Sequence, residues 1–187
     1  MTLARSALLT VLLVAPPASA TDMEFGKDLA GSLRGCETWV LDPSSWTNGP
    51  EPFLAAIGRG ERVASVAAVP DAALPPPGLR RGNLFWKIAE DKRSGIVLTV
   101  SESIPMCHIV GGGALDLRET VGAFLASADF DTRWEKTAES RENGILTAQY
   151  RFREEARFTM TVSHPDGSRA DPLGIQVLAT AIYEPGT

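Results

Sequence analysis

The chain has 187 residues, with 18 Lys and Arg against 23 Asp and Glu, a formal net charge of −5, and only two cysteines and two histidines. A mildly acidic chain without a basic block is a poor match to the phosphates of nucleic acid. Two cysteines and two histidines in neither CxxC nor HxxxH spacing build no common zinc framework, so neither a metal nor a cofactor is expected.

Residues 1–20 read as a secretory leader of the bacterial kind. Arg5 supplies the positive end, "ALLTVLLVA" is an apolar run too short to span a bilayer, and Ala18-Ser19-Ala20 offers small residues for cleavage before Thr21. Thr21 is not cysteine, so no lipid anchor is expected, and no second long apolar run follows. The expected mature product, residues 21–187, is one soluble domain, periplasmic or secreted, with no transmembrane segment and enough length for a real core.

Phe25, Leu29, Leu33 and Cys36 fall at helical spacings of four, four and three, which predicts an N-terminal helix with Cys36 on its buried side. "ETWVLDPSSWTNGPEP" breaks that period, with Trp39 and Trp46 expected to anchor a loop. "FLAAIGRGERVASVAAVP" fits either a short helix with a strand or two short helices. Residues 70–82, with Pro75-Pro76-Pro77, predict an irregular surface connection.

Leu84, Trp86 and Ile88 alternate on one face of a predicted strand, "IVLTVSES" runs back as a second, and "MCHIV" reads as a third. Leu117, Val121, Phe124 and Leu125 then predict a helix over 116–127, with Asp116 and Glu119 in the arrangement of a capping box. "GILTAQYRF" and "ARFTMTVSH" predict a hairpin with Leu146, Ala148, Tyr150 and Phe152 on one face. "LGIQVLATAIYE" is apolar on both faces, as a central strand would be. The expected class is α+β: an antiparallel sheet of about five to six strands, one helix between strand triplets, and the N-terminal helix packed on the sheet. This order is broadly similar to that of profilin-like and PAS-like sensor domains, at the level of fold alone.

The segment "MCHIVGGGALDLRE" concentrates the candidate chemistry. Adjacent residues of a strand point to opposite faces, so Cys107 and His108 do not form a thiolate–imidazole pair. In an oxidising compartment Cys107 is instead expected to pair with Cys36, leaving His108 a partly exposed residue of the other face. Gly111, Gly112 and Gly113 precede a helix, so they either free the chain to turn or expose backbone N–H groups to an anion, with Arg118 and His108 as helpers. No nucleotide-binding or hydrolase motif is present. Asp129 and Asp131 match a DxD pattern that three residues reach by chance. Trp86, Trp134, Tyr150 and Phe152 could stack on a flat ligand but suit a core better.

These features favour a non-enzymatic module that binds a protein or envelope partner. The alternative is a small-molecule or anion-binding sensor with its pocket near Gly111–Gly113. An enzyme using Cys107 or His164 is the third reading.

Overall fold

The computed structural model describes residues 20–42, 63–88, 94–167 and 174–184. Their fold is α+β, with helices on one face of a single antiparallel sheet. Helix α1 (Ala20–Leu41) comes first, followed by strands β1 (Val63–Val66), β2 (Asn83–Ile88), β3 (Ser94–Ser101) and β4 (Met106–Gly113). Helices α2 (Arg118–Leu125) and α3 (Ala128–Arg133) lead to β5 (Trp134–Glu142), β6 (Ile145–Phe152), β7 (Phe158–Pro165) and β8 (Gly174–Tyr183). The strand order is β1-β2-β3-β4-β8-β7-β6-β5. Two four-stranded meanders therefore meet at β4 and β8. The chain leaves the sheet centre after β4, crosses by the two short helices to the far edge, and winds back to β8.

The sheet has eight strands where the sequence predicts five to six, because neither edge strand carries a pattern that marks it as a strand. β1 is only four residues long and lies in a stretch whose pattern also fits helix. β5, "WEKTAESRE", has no apolar alternation because all but its first two residues are exposed. Edge strands need charge rather than a hydrophobic face, so hydrophobic period cannot find them. The helix triplet boundary moves accordingly, to four strands on each side of α2 and α3.

The stripe Phe25, Leu29, Leu33 and Cys36 is buried as expected, and α1 continues beyond it, so that Trp39 and Val40 are buried helix residues rather than parts of a loop. The Trp39 indole N–H donates to the Ser101 carbonyl at 3.0 Å, tying the end of the helix to β3. Trp46 and the leader lie outside the described residues. The connection after β1 holds two single 3-10 turns, Asp71–Ala73 and Pro77–Leu79, consistent with its prolines.

Register places Ile96, Leu98 and Val100 of β3 beside Gly111, Ile109 and Cys107 of β4, all on the face under α1. Ala181, Ala179 and Val177 of β8 continue that face, and Met160, Val162, Tyr150 and Ala148 extend it across β7 and β6. Its outer part is an aromatic cluster. Phe130 of α3 stands edge-on to Phe124 and Tyr150, with ring centroids 5.3 and 5.0 Å apart, and Trp134 packs on Phe152 and Phe158 at 5.1 and 5.0 Å. Trp86, Trp134, Tyr150 and Phe152 are thus core residues, at most 6% exposed.

The predicted helix over 116–127 is two helices. The residue before α2 is Leu117, and no capping box forms there. Asp116 does accept the Arg118 backbone N–H at 3.1 Å, but the main clamp comes from β8. A bulge between Gly111 and Gly112 leaves Gln176 outside the β4–β8 register. Its buried amide accepts the Leu117 N–H at 2.6 Å and donates to the Leu115 carbonyl. A bulge re-aims a side chain, and here it supplies the partners that the helix start lacks. Ser127 caps α3 by accepting the Phe130 N–H.

Candidate functional site

The residues singled out in "MCHIVGGGALDLRE" do not converge. Cys107 faces α1, where its sulfur lies at disulfide distance from that of Cys36, with Cα atoms 5.5 Å apart. His108 faces the other way and is 1% exposed, so the expected partial exposure is wrong. β4 is an inner strand, and its neighbours Thr99 and Thr180 stand beside His108 in register. His108 Nδ1 lies 2.9 Å from the Thr180 hydroxyl, while His108 Nε2 and Thr99 Oγ1 have no partner among the described residues.

Burial pushes the His108 pKa down from 6.5 to about 4, so the folded protein holds the ring neutral. A folded-state pKa below the unfolded one gives stability that is present above pH 6.5 and lost as pH falls toward 4. Urea unfolding between pH 7 and pH 4 should show a loss in the wild type larger by roughly 2–3 kcal/mol than in His108→Leu. Equal losses in both proteins would refute a buried neutral imidazole.

Gly111–Gly113 form no open cradle. Each is paired on both sides, with β3 through Ile96, Gly95 and Ser94 and with β8 through Val177, Ile175 and Gly174. A Cβ on Gly111 would lie 2.8 Å from both Phe25 and Val177, and one on Gly112 only 1.9 Å from the Gly174 carbonyl oxygen. The three glycines belong to the sheet, and the turn into α2 follows them. Arg118 is held by Asp116, with Nε 2.9 Å from Oδ1, and its Nη1 donates to the Gly167 carbonyl at 3.3 Å. That guanidinium holds the Asp116 carboxyl below its ordinary pKa.

The DxD residues also separate. Asp129 binds Arg34 of α1 at 2.8 Å and Arg133 at 2.9 Å; burial opposes ionisation, but the two guanidiniums keep the carboxyl below its usual range. Asp131 is 79% exposed in its side chain and stands 3.8 Å from Arg153. Arg133 also binds Glu37, whose carboxylate accepts the Trp134 indole N–H at 2.9 Å. Burial outweighs these partners and raises the Glu37 pKa. The network fixes α3 against α1.

What the helices leave between them is a groove of about 1030 Å³. Gly26 and Ala30 of α1 face Ala123 and Phe124 of α2 across it. At Gly26 the helices come close enough that a Cβ would stand 3.4 Å from Thr120. Lys27 and Glu119 sit on the rim, and the Asp116–Arg118 pair and Asp129 mark its two ends. Small residues and single charges on amphipathic helices make no motif, so sequence reasoning could not find this groove. No family model, curated protein or solved structure matches the chain.

Proposed function

We propose that the chain is a non-enzymatic module, exported after cleavage near Ala20, that holds an apolar-faced helical segment of a protein partner in the groove between α1 and α2. The groove itself carries this reading. At about 1030 Å³ it lies at the upper limit of ordinary small-molecule clefts, and it is an open channel between two helices with an apolar floor and charges of both signs on its rim. Such a channel suits a peptide helix, whose apolar stripe fills the floor while its polar flanks meet the rim. Ala30 and Ala123 leave the room that larger side chains would fill.

The residues able to do covalent chemistry support a binding role. Cys107 faces Cys36, His108 is enclosed on the opposite face of the sheet, and His164 lies at the far end of β7. None of the three reaches another of them to form a nucleophile and base. Among the described residues no helix is long and apolar enough to cross a membrane.

Substitution at the groove tests the proposal. A tagged wild-type chain recovered from an envelope extract should bring down a discrete polypeptide. Ala123→Trp should lose it at least tenfold, whereas Gln149→Trp, on the exposed face of β6, should retain it. Equal recovery by all three proteins, or equal loss in both variants, overturns the groove as the docking site. N-terminal sequencing of the same material should begin at Thr21.

A further inference from the structure

On the other side of α2 lies a second, smaller cleft, about 310 Å³, floored by Phe130 and Trp134 and flanked by Leu125 and Leu146. We infer that it binds a compact, uncharged aromatic molecule bearing one hydroxyl, a simple phenol, held by Tyr150 and His164.

The walls follow from the residues that build them. Gly122 and Ala126, one helical turn apart, put only small groups on this side of α2, so the space between helix and sheet stays open. Phe130 comes from α3 and Trp134 opens β5, and together they give an apolar, aromatic floor. Tyr150 lies on the same face of the sheet, and His164 stands beside Leu146 in the β6–β7 register.

The hydroxyl of Tyr150 carries the inference. The residue is 5% exposed and its ring packs edge-on to Phe130, yet its hydroxyl has no hydrogen-bond partner among the described residues. A buried hydroxyl left unpaired is costly, and this one lines a cleft that a ligand can fill. Burial also raises the Tyr150 pKa, which keeps the hydroxyl protonated and able to donate. His164 Nδ1 donates to the Pro165 carbonyl at 2.9 Å, which fixes the ring and leaves Nε2 for another partner. A ligand hydroxyl suits both groups, because it accepts from a phenol and donates to an imidazole nitrogen.

Charge argues for a neutral molecule. The lining holds one cation, Lys136, and two carboxylates, Glu139 and Asp131. Residues three apart on a regular strand face opposite ways, but a bulge leaves Thr137 out of the β5–β6 register, and Lys136 Nζ meets Glu139 at 2.8 Å. Asp131 is matched from outside the cleft by Arg153 at 3.8 Å. Each charge on the lining therefore has a counter-ion already, and an ionic ligand would have to displace one. With a water filling about 30 Å³, the cleft has room for roughly ten non-hydrogen atoms, one substituted ring. This site is separate from the groove between α1 and α2 and does not depend on it.

The probe is p-cresol, followed by two-dimensional amide NMR of the whole chain. Toluene lacks its hydroxyl, while para-hydroxybenzoate and tyramine add a charge of either sign. The cresol should give saturable shifts centred on β6, the end of β7 and the junction of α2 with α3. It should bind about fivefold tighter than toluene and at least tenfold tighter than either charged compound. Tyr150→Phe keeps the ring in the core, so it should weaken the cresol about fivefold and leave toluene unchanged. Ala126→Trp, at an exposed position, should block both, and Ala123→Trp neither. Equal binding of cresol and toluene, tighter binding of a charged compound, or unchanged cresol binding in Tyr150→Phe would overturn the inference.

Discussion

Breaking the link between Cys36 and Cys107 should lower the unfolding free energy by about 4 kcal/mol, because it would release a loop whose ends are 71 residues apart. In a protein of this size that corresponds to a fall in melting temperature of about 8–16 °C. The link joins the C-terminal part of α1 to an inner strand, so it holds the helix on the sheet just where both residues are buried. Heating with and without reductant measures the loss, and Cys36→Ala/Cys107→Ala should reproduce it. Thiol labelling of the unreduced, denatured protein should find no free thiol. Two reactive thiols, with a melting temperature that reductant leaves unchanged, would show that the pair is not bonded.

Gly112→Ala should cost upwards of about 3 kcal/mol, while Gly122→Ala should stabilise by roughly 0.5–1 kcal/mol. The first methyl would lie 1.9 Å from the Gly174 carbonyl oxygen, a backbone atom in a paired strand that cannot move without opening the ladder. The second meets nothing within 4 Å on the exposed side of α2, so only the gain in helix propensity remains. Urea unfolding of both variants separates the two roles a glycine can have here. If Gly112→Ala were neutral, close packing against β8 would not be the reason for glycine at that position.

How much of this could be read from the residues follows from where the hydrophobic period is strong. Phe25 to Cys36 gave the buried face of α1, and Leu146 to Phe152 gave the core face of β6, because each sits half in water and half against the core. β5 gave no such signal, since charged residues occupy both of its faces at the sheet edge. The extent of β4 is hidden for the opposite reason. Gly111–Gly113 read as a turn from composition, but close approach of β8 and α1 demands glycine within the strand itself. The burial of His108 is not legible either, because local alternation says which face a residue takes, not whether that face is covered. The groove also depends on a distant contact, the return of α2 over α1. It is encoded in no local motif.

The docking role is tested most directly by a photoreactive side chain placed at Ala30, at Ala123 or at Gln149 and irradiated in intact cells. Ala30 and Ala123 line the groove, and Gln149 is exposed on the sheet face away from the helices. Adducts of one discrete polypeptide from Ala30 and Ala123, absent from Gln149, are the predicted result. No adduct from either groove position, or the same adduct from Gln149 alone, would contradict it.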